Sequence, residues 1–536
     1  MSQSNSTQAK PPSGTSLAHK VTNAAGLVGV LLVFSRISGF LRNMAIAAIF
    51  GQGHAANMYS AAFLGPDAMY NILIGGAVSS AFIPVLSRYF TAGEDEDAWK
   101  VVSTAVNATF LGMTALVLVG ILTASLWIKW LVPGFSPADQ AYTAYLTHLT
   151  LGSILFNSLC GVLFGVQSSR FHFWATGTGP ILFNLVTIAT GVLLAGKMGI
   201  ASFALGTLLG SIVNFITQLA GTLSLSPRYR FRIDLGHPGV RRVFRLMVPI
   251  VISGAASQIA LVANQSFLAS FEPAGVINAL VLSSRLMLLP VSLGTMVGVA
   301  LLPALSGQAG AKKTDDFRRF LGMSLRAVVF LAIPSSIGLA LLAKPTVAFL
   351  FQHGNFTAHN TLVTSTALIY YAIGVVAYSS LEIVYRAFYA LEDTLTPFKL
   401  AMAYLAFSIV LSLGLIHLMG YRGLALAYSL SGFFNLGLLF WSLRRRLGGI
   451  GGYPLARTAV RSLIASAGGG ASILLVEAVA GFIHVPGPLL EGGQVVLGFL
   501  AGGSVFLALG WLLGAEEVGI VMDFFLERFR RKSVPS

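Results

Sequence analysis

The chain has 536 residues, of which 55% are hydrophobic and only 10% are charged. Soluble globular proteins carry about 25% charged residues, so this chain has too little charge to cover the surfaces of several soluble domains. Lipid is therefore expected to be the solvent for most of it. The net charge of +15 fits the excess of Lys and Arg on the cytoplasmic side of membrane proteins, and no nucleic-acid partner is expected.

Apolar stretches long enough to span a membrane recur along the chain, since a ~30 Å hydrocarbon core needs about 20 helical residues. The predicted fold is an all-α integral membrane protein with about fourteen transmembrane helices. They are expected at 24–50, 57–87, 101–131, 142–168, 175–195, 200–224, 243–268, 276–308, 322–351, 360–386, 398–417, 421–443, 458–482 and 493–514. The second and eighth spans contain prolines, and a break is expected in the eighth at Pro290.

An internal repeat is visible between the two halves of the chain. The segment Ala81–Ser87 resembles Ala300–Ser306, Met198-Gly199 recurs as Met419-Gly420, and Asn214 recurs as Asn435. The offset covers six spans, an even number, so both copies have the same orientation in the membrane. Two six-helix lobes related by a pseudo-two-fold axis, followed by two further helices, are therefore expected, as in transporters that rock about a central cavity.

The predicted organisation has six parts. They are a disordered cytoplasmic tail at 1–20, an N-lobe at 21–224, a basic cytoplasmic linker at 225–242, a C-lobe at 243–446, the last two spans at 447–515 and a cytoplasmic C-terminal tail at 516–536.

The distribution of Lys and Arg supports this topology. If both termini are cytoplasmic, most of the 34 Lys and Arg lie on the cytoplasmic side, as the positive-inside rule requires. Four lie on the opposite side: Lys129, Lys197, Lys344 and Arg422. Three are assigned to the membrane interior: Arg36, Arg42 and Arg285.

These three intramembrane arginines are the main functional signal. A charge inside the bilayer costs several kcal/mol unless it faces a polar cavity or a partner, and Arg does not escape by deprotonating. Guanidinium groups bind phosphate through paired hydrogen bonds, so an anionic ligand is predicted to bind Arg36, Arg42 and Arg285. The alternatives are snorkelling of Arg42 to the headgroups, a structural role for Arg36, and binding of freed carbonyls by Arg285.

Other polar residues in the spans are weaker candidates. Asn57, Asp67, Tyr70, Asn71 and Gln258 are candidates to line a cavity, although hydrogen bonds between helices explain such residues equally well. Glu382 is a further candidate, but its spacing from Arg386 favours a structural ion pair.

Enzymatic chemistry has little support. No loop is long enough for a catalytic domain, and the nine histidines lack metal-ligand spacing. Cys160 is a lone cysteine, and Thr176–Pro180 lacks the lysine of a phosphate loop. A transporter without a metal or cofactor is expected.

Several motifs together resemble the MurJ/MviN family of lipid II flippases. They are Phe34–Arg42, Ala45–Gly51, Gly76–Pro84, Ser284–Pro290 and Phe351–Ala358. The resemblance covers roughly residues 24–445 in order and extends loosely through the last two spans.

The resemblance implies the fold of the multidrug/oligosaccharidyl-lipid/polysaccharide exporter superfamily, with a cationic central cavity and a hydrophobic groove in the last two helices. It also implies transport of undecaprenyl-diphosphate-linked disaccharide-pentapeptide, lipid II, from the inner to the outer leaflet of the bacterial cytoplasmic membrane. The family's cavity arginines match Arg36, Arg42 and Arg285. Membrane lipids and cell-wall synthesis proteins are the other expected partners.

The chain departs from the family pattern at charged positions. Acids found in many members are replaced by Asn43, Asn57, Gly75, Ser284 and Leu288, and an arginine is lost at Tyr70-Asn71. These losses bear on the substrate and on coupling to Na⁺ or to the membrane potential. The open alternatives are a flippase for another undecaprenyl-linked glycan, a multidrug or cation antiporter, and a membrane glycosyltransferase.

Overall fold

A computed structural model describes residues 14–72, 82–170, 172–310, 314–391, 393, 395–449, 452–480, 482 and 487–519. These residues form seventeen α-helices. In chain order, α1 to α17 are Gly14–Phe50, His54–Tyr70, Ile83–Thr91, Asp95–Leu131, Pro137–Ser169, Trp174–Met198, Ala201–Leu223, Pro238–Val262, Val276–Gly310, Thr314–Leu341, Ala343–Phe351, Ala358–Ile373, Val375–Ala390, Leu395–Met419, Tyr421–Leu447, Gly452–Ala480 and Gly487–Leu512.

The all-helical membrane fold is confirmed. In its described residues, each predicted span overlaps one α-helix or two consecutive α-helices. Among the described residues, ten helices are long and apolar enough to cross a membrane, and an eleventh span results if α12 and α13, bent by 45°, are counted as one. The count of fourteen stays a prediction, because the remaining spans are interrupted or include residues outside the described ranges.

Two local expectations differ from the structure. The predicted break at Pro290 is wrong, because α9 runs without interruption from Val276 to Gly310. At the N-terminus, α1 begins at Gly14, so the described part of the predicted tail is helical. The seventh predicted span ends in a π-helical turn, Ala263–Phe267, which the sequence pattern did not indicate.

The internal repeat is visible in backbone geometry. Gly199 and Gly420, which follow the repeated methionines, have φ and ψ of 56° and −143° and of 58° and −141°. Residues with a side chain rarely adopt positive φ, so glycine suits both turns. Asn214 and Asn435 are also both buried in the following helices. The matched positions therefore have matched local structure.

The chain forms two compact units, and the boundary between them does not follow the predicted lobes. The first unit contains residues 1–42, 73–121 and 149–248. The second contains residues 43–72, 122–148 and 249–536, so it includes segments from the first four predicted spans. The six-part organisation predicted above stays a prediction.

Packing in each unit follows from apolar helix faces. In the first, α6 and α7 form a close hairpin in which Gly191 faces the ring of Phe203 and Gly206 faces the backbone of Thr187. In the second, Phe317 and Leu321 of α10 pack against Phe388 of α13 and Leu443 of α15. Many other large apolar side chains, such as Leu122, Trp130 and Phe482, are exposed, as expected of helices whose solvent is lipid.

Candidate functional site

The motif that carries Arg36 and Arg42 is fixed to α6 by two small polar residues. Asn184 of α6 donates its side-chain Nδ2 to Ser38 Oγ at 3.0 Å, and Ser38 Oγ donates to the carbonyl of Ser35 at 2.9 Å. Ser38 and Asn184 are buried. The serines of the motif therefore hold one face of α1 against α6 and set the direction of the arginines.

Arg36 and Arg42 occupy different surroundings within the first unit. Arg36 is exposed, and no carboxylate of the described residues lies within 4.0 Å of it. Arg42 is half-buried, and its guanidinium carbon lies 5.5 Å from the centre of the Phe183 ring. Such a cation–π contact stabilises a guanidinium without neutralising its charge.

Arg285 lies in the second unit and has a neutral partner. Its Nη1 donates to the side-chain Oδ1 of Asn43 at 2.9 Å, and Asn43 is buried. No carboxylate lies within 4.0 Å of Arg285 among the described residues. The family pattern predicts an acid at position 43. Asn43 still orients Arg285, but its neutral amide leaves the positive charge of Arg285 uncompensated.

Of the remaining cavity candidates and charge-loss positions, those at the end of α2 and within α9 are exposed or half-buried. Asp67 and Asn71 are exposed at the end of α2, and Tyr70 between them is half-buried. Ser284 is half-buried and donates to the carbonyl of Val281, whereas Leu288 is exposed. Gly75 lies outside the described residues.

Helix-to-helix hydrogen bonds account for several buried polar side chains of the seventh span. Asn264 donates to Ser412 Oγ at 2.9 Å and to the carbonyl of Leu424 at 3.1 Å. Gln265 donates to the hydroxyl of Tyr371 at 3.0 Å, so both residues join helices. Gln258 of α8 is half-buried.

The expected ion pair on the tenth span is confirmed. Arg386 Nη2 lies 3.3 Å from Glu382 Oε2, and the pair is one helical turn apart on α13. Because each charge has a partner of opposite sign, this pair fits a structural role better than binding of an external ligand.

A set of polar contacts within the second unit joins the ends of several helices, and we call it the clasp (Gln52, Asn57, Asn278 and Asn355). Asn57 of α2 accepts a hydrogen bond from the backbone nitrogen of Asn278 at 3.1 Å, in the first turn of α9. Asn278 Nδ2 in turn donates to Ser60 Oγ at 2.9 Å. Asn57, a predicted cavity residue, therefore caps the N-terminus of α9.

The second part of the clasp brings two family-like motifs together. Asn355 donates its backbone nitrogen to Ala48 O at 2.8 Å and its side-chain Nδ2 to Ile49 O at 2.6 Å. It thereby satisfies carbonyls at the C-terminal end of α1 that have no partner within the helix. Gly51 has a φ of +62°, and a Cβ there would lie 2.5 Å from the Asn355 carbonyl oxygen.

The third part of the clasp is the Gln52 side-chain amide, which lies 2.8 Å from Thr364 Oγ1. With its oxygen facing the Ala279 nitrogen, 3.1 Å away, its nitrogen donates to the Asn360 carbonyl. The end of α1 is thus bonded to α9 and α12. A neighbouring contact joins the Gly134 nitrogen to Ser270 Oγ at 3.0 Å.

Glu272 follows the seventh span and interacts with the start of α15. Burial raises the pKa of its carboxyl group, and a hydrogen bond from the backbone nitrogen of Tyr421 acts in the opposite direction. Glu272 therefore forms a polar link between the 268–275 connection and the turn at Gly420. This residue carried no signal in the sequence, since lone acids in connecting loops are common.

All the connections joined by the clasp and its neighbours are odd-numbered in the predicted topology. They follow the first, third, seventh, ninth and eleventh predicted spans, and their contacts place them at one end of the second unit. The sequence did not identify Asn278, Asn355 or Gln52 as functional. Only the recurring segment around Gly354-Asn355 gave a signal that could have identified one of them.

Comparison with known proteins gives consistent results. Residues 46–488 match the family model for the lipid II flippase MurJ. A probable lipid II flippase MurJ from Rhizobium tropici is 29% identical over 92% of this chain and 94% of that protein. The lipid II flippase MurJ from Burkholderia cenocepacia is 30% identical over 77% of this chain and 82% of that protein.

Solved structures show the same similarity. A structure of lipid II flippase MurJ in an inward closed conformation aligns with a TM-score of 0.72 and 27% identity, covering 91% of this chain and 98% of that one. An inward-facing multidrug transporter of the MATE family aligns at 0.66 but with 13% identity, and that likeness concerns the fold alone. The resemblance seen in the motifs is thus confirmed: this multi-pass bacterial membrane protein belongs to the lipid II flippase MurJ family.

Proposed function

We propose that this chain is a transporter, not an enzyme, that moves lipid II from the inner to the outer leaflet of the bacterial cytoplasmic membrane. Membership of the MurJ family supports the substrate. The observation that carries the proposal is the Arg285–Asn43 contact, because it holds a guanidinium in place without cancelling its charge. A diphosphate is the anionic group of lipid II that such a cation suits.

In the proposed mechanism, Arg36, Arg42 and Arg285 bind the diphosphate while the cavity is open to the cytoplasm. The lobes then close on the inside and open on the outside, and the headgroup leaves into the outer leaflet. Both chain termini are cytoplasmic in this proposal, as the distribution of Lys and Arg requires.

Two sources of energy suit this mechanism. Outward movement of an anion is favoured by an inside-negative potential, by about 2.3 kcal/mol per charge per 100 mV. A Na⁺ gradient is the second. Protein partners in cell-wall synthesis are proposed as consumers of the lipid II that reaches the outer leaflet.

The test is to reconstitute the protein in liposomes and to measure lipid II exposed at the outer leaflet, with an Arg36→Ala variant in parallel. Movement of lipid II that depends on Arg36 supports both the proposed substrate and the proposed diphosphate-binding site. Movement that is unaffected by the variant supports the flippase and rejects Arg36 as a ligand. Absence of movement, with and without a membrane potential, favours a different undecaprenyl-linked glycan, with the lost charges at Asn43, Asn57 and Asn71 as the first suspects.

A further inference from the structure

The basic segment between the sixth and seventh predicted spans is attached to the first unit along its backbone. We call residues 228–235 the strap. The backbone nitrogen of Arg230 donates to Ser103 Oγ at 3.1 Å, and Asn107 Nδ2 donates to the carbonyl of Arg232 at 2.9 Å. The Asp234 nitrogen donates to Thr104 Oγ1 at 3.2 Å. Three alternate residues of the strap, Arg230, Arg232 and Asp234, are therefore bonded to α4 through their backbone.

The polar residues of α4 that hold the strap are themselves buried. Ser103, Thr104 and Asn107 are each at most 2% exposed. Asn107 also accepts a hydrogen bond from the hydroxyl of Tyr229 at 2.5 Å. A basic loop that served only to fix membrane orientation would need no such set of buried partners. The strap therefore has a defined position at the end of α4 that begins with Asp95.

From Arg228 to Ile233 the side chains of the strap are exposed and alternate between basic and apolar types. Arg228, Arg230 and Arg232 alternate with Tyr229, Phe231 and Ile233. Phe231 is 77% exposed. Exposed aromatic and aliphatic side chains beside arginines are typical of segments that lie in the membrane interface, where the rings insert among acyl chains and the cations meet phosphate groups.

We group the start of α8, which follows the strap in the chain, with the strap as one basic surface. Arg241, Arg242 and Arg245 are exposed there, and so is Phe244. Of the six arginines of this surface, only Arg232 has a carboxylate within 4.0 Å among the described residues, at 2.8 Å from Asp234. Five uncompensated guanidinium groups thus lie within eighteen residues of chain.

We propose that the strap and the start of α8 form a binding surface for anionic phospholipid headgroups, such as phosphatidylglycerol. Charge complementarity favours this ligand, because the surface has five unpaired cations and each headgroup supplies one phosphate. The apolar side chains favour a lipid over a soluble anion, which would leave Phe231 in water. Placement at the cytoplasmic leaflet rests on the orientation given under the proposed function, whereas binding of the headgroup does not depend on lipid II.

The experiment measures phosphatidylglycerol and phosphatidylcholine bound to the full-length, delipidated protein in detergent, by native mass spectrometry over a lipid titration. The test variant is Arg228→Gln with Arg230→Gln. The matched control, Arg444→Gln with Arg445→Gln, removes the same charge from the exposed end of α15. A third variant, Asn107→Ala, keeps every arginine and removes the side-chain bonds from α4 to Arg232 and Tyr229, which loosens the strap.

The test variant is expected to bind phosphatidylglycerol about ten- to thirtyfold more weakly, since each basic residue near an anionic surface contributes roughly a factor of five. Phosphatidylglycerol binding by the control variant is expected to change by less than about twofold. Phosphatidylcholine binding is expected to stay unchanged in both the test and the control variant. Asn107→Ala is expected to weaken phosphatidylglycerol binding although its charge is unchanged. Equal losses in the test and control variants would overturn the proposal, as would unchanged binding in the test variant or in Asn107→Ala.

Discussion

Asn355 binds the last turn of α1 with two donors, its backbone nitrogen to Ala48 O and its side-chain Nδ2 to Ile49 O. The two segments are more than 300 residues apart in the chain, and each belongs to a motif typical of the family. The contact explains why both motifs contain glycine. Gly354 has a φ of +58°, and a side chain there would overlap the backbone at Ala48.

Replacing Asn355 with alanine is expected to destabilise the clasp but not to abolish folding. The variant loses the bond to Ile49 O, while the backbone bond to Ala48 O remains. Loss of one such hydrogen bond costs about 1 kcal/mol. Thermal unfolding in detergent should therefore shift to a lower temperature. Asn360→Ala, in the first turn of α12, is a suitable control, and an equal shift in both variants would contradict the role of the Asn355 side chain.

Gly51→Ala is expected to destabilise the folded protein more than the addition of one methyl group usually does. The backbone has positive φ, and the new methyl group would lie against the Asn355 carbonyl. We expect a loss of about 1–3 kcal/mol, measured as a lower unfolding temperature or a smaller monodisperse fraction. Gly53 is the control, because a Cβ there meets nothing within 4 Å and its φ is −102°. If Gly53→Ala were as harmful, crowding at Asn355 would not be the cause.

The helical membrane fold was predictable from the sequence because apolar length is a strong, local signal. The repeat was also predictable, and the nearly equal backbone angles of Gly199 and Gly420 agree with it. The continuity of α9 through Pro290 was not predictable from local pattern. Proline removes one hydrogen bond of the helix, and packing with neighbouring helices decides whether the helix breaks.

The candidate site was predictable only in part. The cost of a charge inside the bilayer identified Arg36, Arg42 and Arg285, but the neutral partner of Arg285 is 242 residues away in the chain. No local pattern links Asn43 to Arg285 or Asn57 to Asn278. Such pairs form because helices distant in sequence are adjacent in the fold, so cavity lining and helix capping were indistinguishable for Asn57 from the sequence alone.

Asn57→Asp is expected to stabilise the clasp. The residue accepts a hydrogen bond in the first turn of α9, where a carboxylate interacts favourably with the helix dipole. The gain should be about 0.3–1 kcal/mol, seen as a higher unfolding temperature, whereas Asn57→Ala should lower it. A destabilised Asn57→Asp variant would show that burying the charge outweighs the capping interaction.

Asp393, in the connection before α14, is expected to make stability depend on pH. Burial tends to raise the pKa of its carboxyl group, but hydrogen bonds from the Thr396 nitrogen and hydroxyl and the nearby charge of Arg446 lower it below its ordinary value. Because the pKa is lower in the folded state, the carboxylate contributes stability above the ordinary pKa of about 3.9. That contribution is lost as the pH falls through the folded pKa.

Unfolding of the wild type and of Asp393→Asn over a pH series would measure this effect. The difference between them should be constant above about pH 5 and should shrink as the pH falls below about 4. Asp315→Asn serves as the control, since Asp315 is an exposed carboxylate with one exposed partner, Arg318. A difference that grew on acidification would mean that the pKa of Asp393 is raised instead.

Arg285→Ala is expected to reduce lipid II exposure at the outer leaflet by about tenfold or more, because a hydrogen bond to a charged group contributes roughly 1.5–3 kcal/mol. Arg285→Lys should retain part of the activity, since it keeps the charge but loses the planar pair of donors. The control is the double variant Glu382→Gln with Arg386→Gln, which removes an internally compensated pair from α13. It should stay within about twofold of wild type. Equal losses of lipid II exposure in Arg285→Ala and in the double variant would indicate that intramembrane charges matter for folding alone. The uncompensated charge of Arg285 would then have no special role in transport.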